Sequence, residues 1–429
     1  MDQLTTSLWG DESFTAVAVS QNFSRMLEIV VKDTAPPLYY ILLFMWTQIF
    51  GHSEVAIRSL SVLFYLGTIF SVYLIAKKIW GKTTGFLAAF ICLANPFLFP
   101  FAFEGRMYSI LVFTVTLSFY FFITDNFWGY VLSSTMAIYS HHYAFLVLIF
   151  QFFWRLSHTK KLKKNWFIFL KPYLLIGILY IPWLYPLYKQ ITMVSTGFWL
   201  GRPKLKDFFG LYLRYIAGER IIISWQKFLP ILVILIFALK KWKDKKKENL
   251  LLLGWVFIPG LLAFLISQGK TSVFYDRYLI FVIPGLAILL VGSFRKSSLF
   301  LFLLFSLPFL WLNYYYFSHP TKRPFRQLAE YVKQEAEEDV FLINFNGKAH
   351  HLWESKYYGL NAPLYIPEGE LPYYVGTAQM TTKDIIRQLP EKNRIGVITS
   401  EEPGSMKIPG FTLESYKKFG ELSFCWFTR

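Results

Sequence analysis

The chain is predicted to fold as a polytopic α-helical membrane protein followed by a small α/β domain. Of its 429 residues, 55% are hydrophobic, 20% aromatic and only 17% charged, and the mean hydropathy is +0.39, far from a soluble average. Long apolar runs recur through residues 58–317, and beyond Pro320 they stop and charges of both signs become frequent.

A helix that crosses a hydrocarbon core needs about 20 apolar residues at 1.5 Å rise each. About ten segments approach that requirement: 58–76, 83–99, 107–124, 127–142, 143–157, 166–186, 227–241, 249–267, 278–293 and 297–317. Short loops rich in Lys and Arg stay in the cytoplasm. Lys77, Lys78 and Lys82, then Lys160, Lys161, Lys163 and Lys164, then the lysines of 240–247, then Arg295 with Lys296 all fall in turns on one side. That side is therefore expected to be cytoplasmic. Residues 1–57 form a first extracytoplasmic loop, 58–318 the transmembrane domain and 319–429 an extracytoplasmic α/β domain. The stretch Lys189–Lys227, with Trp199, Arg202, Lys204, Arg214 and Arg220, also lies outside.

The net charge of +17 belongs to the membrane part: residues 1–318 hold 30 Lys and Arg against 13 Asp and Glu, whereas 319–429 hold 14 of each. Cations in cytoplasmic turns fix topology and meet anionic headgroups. No basic module with base-stacking aromatics is visible, so nucleic acid is not an expected partner. Cys92 lies in a predicted span and Cys425 near the C-terminus, so neither a disulfide nor a CxxC metal or redox motif is expected. Within the tail, 325–332 reads as an amphipathic helix, 340–345 as a buried strand, 381–389 as a helix, and 394–399 and 422–428 as strands.

Candidate site residues gather at the outer ends of the spans. Asp11 and Glu12 follow Trp9-Gly10, and Asp33 precedes Pro36-Pro37 and the aromatic-apolar segment Leu38–Phe50. That segment is too short to span comfortably and fits an interfacial helix in the headgroup plane. Glu104-Gly105-Arg106-Met107-Tyr108, His141-His142-Tyr143, Lys270 and Asp276-Arg277-Tyr278 share the outer side. Arg106 also fits a snorkelling residue or an ion pair with Glu104. His141 and His142 also fit an interfacial polar turn, and Arg277 with Tyr278 an interface anchor. Acids and cations on one face, lined with aromatics and reached from lipid, suit group transfer from an anionic lipid. A carboxylate there could take the proton of an attacking hydroxyl. Arginines or a lysine could balance the charge on a departing phosphate. A divalent cation could assist, although no ligand set of diagnostic spacing is present and the metal ligands are unknown.

The same residues resemble the landmarks of the polytopic, GT-C fold glycosyltransferases. Trp9-Gly10-Asp11-Glu12, Asp33 to Tyr40, Gly51 to Ser61 with Glu54 and Arg58, Glu104 to Ser109 and Arg277-Tyr278 stand in the order and spacing of that group. The chain is most similar to the protein mannosyltransferase and aminoarabinose transferase relatives of glycosyltransferase family 39. The resemblance implies an inverting transfer of one sugar, mannose-like or another hexose or pentose, from a polyprenyl-phosphate donor to a protein, lipid or glycan acceptor at the extracytoplasmic face. It implies a base or acceptor-anchor role for Asp11 with Glu12 beside it, and substrate-binding roles for Asp33, Tyr39, Arg58, Glu104, Arg106, Tyr108 and Arg277. His141, His142, Lys270 and Tyr278 join them as candidate substrate-binding residues by their position. Two departures stand out: Ala35 occupies a place where the family often has His, and only eight residues precede Trp9, where members carry a membrane helix.

A lipid-linked sugar flippase or transporter is the rival class. It would carry mid-span charges and discontinuous helices in paired halves, and neither is evident. A reporter fused after Phe317 is expected to signal an extracytoplasmic location; a cytoplasmic signal would reverse the side assigned to every site residue.

Overall fold

A computed structural model describes residues 3–158, 162–197, 199–218, 245–292, 299–319, 321–335, 340–345 and 350–429, with no side-chain description at 162–165, 299–305 and 350. It divides into two compact units. One comprises Met1–Thr34, Tyr40–Ile57 and Ser318–Arg429, the other Ala35–Tyr39 and Arg58–Phe317.

The chain opens with three helices, α1 (Gly10–Val19), α2 (Phe23–Lys32) and α3 (Leu38–Phe50). Asn22 caps α2 by accepting from the Arg25 N–H at 2.9 Å, the ordinary reason for Asn at that place. On its exposed face Glu28 bridges Arg25 and Lys32, both at 2.6 Å.

The apolar unit follows as α4 (Glu54–Trp80), α5 (Lys82–Leu93), α6 (Tyr108–Ile123), α7 (Phe127–Ser140), α8 (Ala144–His158), α9 (Leu162–Tyr180), α10 (Leu184–Ser195), α11 (Leu205–Ala217), α12 (Lys246–Ile266), α13 (Ile283–Gly292) and α14 (Leu299–Ser318). α6 and α7 form a tight hairpin. Asp125 turns with a φ of 52°, the Asn126 side chain accepts from the Gly129 N–H at 2.8 Å, and a Cβ on Gly129 would lie 2.4 Å from the Phe121 ring. Only glycine lets the two helices approach this closely. Deeper in the unit, Phe119 of α6 stacks on Trp255 of α12 at 3.9 Å, and the Trp255 indole N–H donates to the Phe281 carbonyl at 3.0 Å. Burial of the indole is thereby achieved with its polar handle satisfied.

Nine of the ten segments expected to cross the membrane fall on described helices. The tenth, 227–241, lies outside the described residues, as do Arg220, Lys160, Lys161, the lysines of 240–244 and Arg295 with Lys296. Among the described helices, Glu54–Trp80, Trp166–Ser195 and Lys246–Ile266 are long and apolar enough to cross a bilayer, while others, such as the 16 residues of Tyr108–Ile123, are shorter. At 1.5 Å per residue that helix reaches about 24 Å against a core of about 30 Å. Of the expected segments, 166–186 is interrupted by a 3₁₀ turn at Ile181–Trp183, 278–293 begins in one at Arg277–Val282, and the α-helix within 83–99 ends at Leu93. The structure thus confirms apolar helices and leaves the number ten unfixed.

The C-terminal residues build a six-stranded sheet with α15 (Phe325–Glu335) and α16 (His350–Tyr357). Its strands are β1 (Phe341–Asn344), β2 (Leu364–Tyr365), β3 (Ile385–Ile386), β4 (Arg394–Thr399), β5 (Thr412–Phe419) and β6 (Leu422–Thr428), in the order β3-β2-β1-β4-β6-β5. β3, β2, β1 and β4 run parallel, while β6 is antiparallel to both β4 and β5. Gly420 takes the first place of the two-residue β5–β6 loop with a φ of 59°, as a Gly-first hairpin loop requires. One face of the sheet is closed by Phe325, Leu328, Ala329 and Val332 of α15 against Ile398, Leu422, Phe424 and Trp426. Ile343, Tyr365, Ile395, Val397, Met406, Phe411 and Phe427 fill the other.

One expected element is corrected. Residues 381–389 form no helix: Asp384 accepts from the Thr381 N–H at 2.7 Å and from its hydroxyl at 3.0 Å, closing a single 3₁₀ turn. The chain then enters the sheet as β3. Leu328 is fully buried at the centre of the α15 contact, so Leu328→Ala is expected to cost about 2–5 kcal/mol through lost transfer energy and a cavity, read as a lower thermal midpoint of the detergent-purified protein.

Candidate active site

The first acids sit in the opening turn of α1. Negative charge is favoured there because the first N–H groups of a helix lack intrahelical partners. Glu12 is fully buried. Its Oε2 accepts from the Trp9 N–H at 3.3 Å and from Lys322 Nζ at 2.9 Å, and the Lys322 side chain is itself 7% exposed. These two bonds hold the first turn of α1 in place. Asp11 is half-buried, and its backbone carbonyl accepts the Thr15 hydroxyl at 2.9 Å.

α16 packs against α1. Trp353 meets Phe14 edge-on with centroids 5.3 Å apart, and Gln379 Nε2 donates to the Phe14 carbonyl at 3.1 Å. Next to Trp353, Glu354 is buried, and no described residue bonds its Oε2. Burial pushes this carboxyl up to about 8; Arg323 works against the rise, and the negative fields of Asp11 and Glu12 add to it. Three carboxyls therefore interact around α1, and Glu354 stays protonated at neutral pH. Asp33 closes α2 as its C-cap residue in an extended conformation, its N–H bonded to the Ile29 carbonyl at 2.9 Å.

The other unit holds the remaining candidates. Tyr39 and Ser61 hydroxyls lie 3.4 Å apart, and Arg58 is among the largest fully buried side chains. Glu104 ends the turn Phe99–Phe103, Arg106 is half-buried, and Tyr108, the first residue of α6, sets its ring against Phe101 at 5.1 Å. Asn95 shapes the approach: its Oδ1 accepts from the N–H groups of Phe97 at 3.1 Å and Leu98 at 2.8 Å, while its Nδ2 donates to the Tyr215 carbonyl at 2.7 Å.

His141 caps the C-terminus of α7 and packs its ring 4.9 Å from Tyr278 and 5.1 Å from Tyr143. Arg106 acts on His141 electrostatically. Tyr275 continues the aromatic group at 5.1 Å from Tyr278, with the Arg277 guanidinium over its ring at 5.8 Å. Asp276 accepts from the Arg277 N–H at 2.8 Å and pairs with Arg214 at 3.0 Å. The structure therefore gathers His141, Tyr143, Tyr278, Tyr275 and Arg277 along one aromatic wall, with Arg106 acting on His141 through its charge. His142 turns elsewhere. Its Nε2 lies 2.8 Å from Gln190 Oε1, the Tyr180 hydroxyl 3.3 Å from its Nδ1, and Gln190 donates on to the Ala35 carbonyl at 3.3 Å. A neutral imidazole protonated on Nε2 satisfies this chain, a tautomer inferred from the partners. Lys270 is exposed, and no described residue pairs with it. Among the described residues, no group of three or more His, Cys, Asp or Glu is arranged to hold a metal.

Lys322, Arg323, Glu354 and Gln190 were not indicated by the sequence. Each is a single polar residue without a motif, and only folding brings it within reach of its partner.

Residues 34–185 match the family model described as dolichyl-phosphate-mannose-protein mannosyltransferase. A search of curated protein sequences gives no match. Among solved structures, the chain is similar to ArnT from Cupriavidus metallidurans in the apo state, with a TM-score of 0.69 and 11% identity over 98% of this chain and 94% of that one. Against the same protein bound to undecaprenyl phosphate the TM-score is 0.65 at 12% identity, covering 99% and 95%. The Archaeoglobus fulgidus oligosaccharyltransferase in complex with Zn and sulfate gives a TM-score of 0.52 at 12% identity, over 92% of this chain and 64% of that one. These likenesses establish the fold that the chain shares with those structures, and the family match adds its residues 34–185.

The protonation of Glu354 has a measurable signature. Its folded pKa, about 8, stands above the usual 4.5, so the stability it contributes is fully present below the usual value and is lost as pH rises through about 8. Glu354→Gln, which keeps the neutral shape, is expected to flatten the decline in thermal midpoint across that window relative to the parent protein.

Proposed function

We propose that the chain transfers one sugar, with inversion, from a polyprenyl-phosphate donor to a hydroxyl acceptor on the extracytoplasmic face. The observation that carries this reading is the division of labour in the first turn of α1. Glu12 is fully buried and held by Lys322 and the Trp9 N–H, and Asp11, half-buried in the same turn, is the acid proposed for proton transfer. In the proposed step Asp11 accepts the acceptor's hydroxyl proton while that oxygen bonds to the anomeric carbon. The bond from the anomeric carbon to the phosphate oxygen breaks, and polyprenyl phosphate departs with the electron pair. Arg106 and Arg277 are the cations proposed to balance the leaving charge, with Arg58, Tyr39, Glu104 and Tyr108 shaping the donor pocket. A mannose-like sugar is favoured by the family match over 34–185, and a lipid-linked donor by the printed ligand of the ArnT structure. A divalent cation, where one takes part, would act on the donor phosphate.

Asp11→Asn keeps the side chain's shape and removes its basicity. It is expected to lower transfer of labelled sugar from a polyprenyl-phosphate donor by about 10²–10⁴-fold, the usual contribution of a general base. Full activity in this variant would remove Asp11 from its assigned role, and movement of the lipid-linked sugar without transfer would favour the flippase reading.

A further inference from the structure

A cavity of about 760 Å³ opens beside the C-terminal end of α1. All its walls belong to the unit that contains Asp11, and it falls within the size range of small-molecule sites. α1 supplies Ala16 and Val17, the turn after it Ser20 and Gln21, the start of α4 Glu54, α15 Arg326, and the end of α16 Tyr357 with Tyr358 next to it.

The chemistry of the wall is specific. Arg326 Nε donates to Glu54 Oε1 at 3.1 Å, Arg326 Nη2 donates to the same oxygen, and the Tyr358 hydroxyl reaches it at 2.9 Å. Glu54 is thus fixed by three donors on one oxygen, and no described residue bonds Oε2. A carboxylate immobilised through one oxygen offers the other as an oriented acceptor for a hydroxyl. Charge on the wall is cancelled pairwise: Glu54 against Arg326, and Lys356, also on the wall, against Asp384 at 2.7 Å. An anion would therefore meet an open carboxylate oxygen without a spare cation to offset it. Tyr357 and Tyr358 add ring surface, their centroids 4.9 Å apart. Hydroxyls both donate and accept, so a neutral polyhydroxylated ligand can use Glu54 and the Gln21 amide while its C–H faces rest on the tyrosines.

We propose that this cavity binds neutral saccharide units of the acceptor. The inference rests on the transfer reaction proposed above and extends it to the acceptor side. Ser20, the residue that follows α1, lies about 14 Å from Asp11 along the helix axis at 1.5 Å per residue, and Ala16 and Val17 of α1 line the cavity, so a glycan held there rests on the helix that carries the proposed base.

The test uses the detergent-purified full chain on an array of immobilised neutral and anionic oligosaccharides. Retention on neutral oligosaccharides is expected. Ser20→Trp, at an exposed position on the cavity rim, is expected to reduce it at least tenfold by filling the space, and Gln21→Ala, also exposed, to reduce it without risk to folding. No retention, retention on anionic sugars alone, or retention unchanged in both variants would overturn the proposal. Failure of the transfer reading is separate: it appears as full donor turnover in Asp11→Asn, a measurement that does not involve the cavity.

Discussion

The buried pair of Glu12 and Lys322 is the interaction on which the acid-bearing unit depends. Two opposite charges are withdrawn from water across 310 residues of sequence. Such a pair gains little net stability when complete, yet removing one partner strands a buried charge at a cost of several kcal/mol. Its value is therefore geometric. It fixes the first turn of α1, and with it the direction of Asp11, to the start of the C-terminal residues. Around it the same logic repeats at lower stakes: Leu8 N–H donates to the Tyr358 hydroxyl at 2.9 Å, Arg326 N–H to Ser7 Oγ at 3.0 Å and Gln379 to the Phe14 carbonyl at 3.1 Å. The acid pair near the start of the sequence is consequently an asymmetric pair, one carboxylate fully buried and one half-buried.

How much of this was readable beforehand follows from the physics of each element. Apolar helices are legible because burial in lipid imposes long runs that no soluble segment needs, and β4 and β6 because both are buried and β-branched or aromatic. β5 was not read. It lies at the edge of the sheet with nearly every side chain exposed, and its Lys417 and Lys418 blunt that edge, so it carries no hydrophobic period. Residues 381–389 misled for the opposite reason: their spacing of apolar residues fits a helix, but Asp384 returned to Thr381 and closed the turn early. Local side-chain bonds of this kind compete with helix propagation.

The candidate site was legible where residues cluster in sequence and opaque where they converge from afar. His141 and His142 are adjacent, yet one joins the aromatic wall with Tyr278 while the other braces Gln190 and, through it, Ala35. Successive residues leaving a helix end point in different directions, so adjacency alone could not separate the two roles. Arg277 gains its place from Asp276, which accepts its N–H while pairing with Arg214, a three-residue arrangement that only the folded loop reveals.

The joining of Met1–Thr34 with Ser318–Arg429 in one compact unit carries a consequence for the order in which the protein matures. Helix α1 is synthesised well before Lys322, Gln379, Tyr358 and Arg326, which hold its buried carboxylate, its Phe14 carbonyl and the segment leading into it. Short helices without tertiary support are marginal in water, so α1 spends most of the chain's synthesis unsupported. The acid turn takes its final form only when the last quarter of the chain arrives, and until then the growing polypeptide holds Asp11 without the frame that aims it.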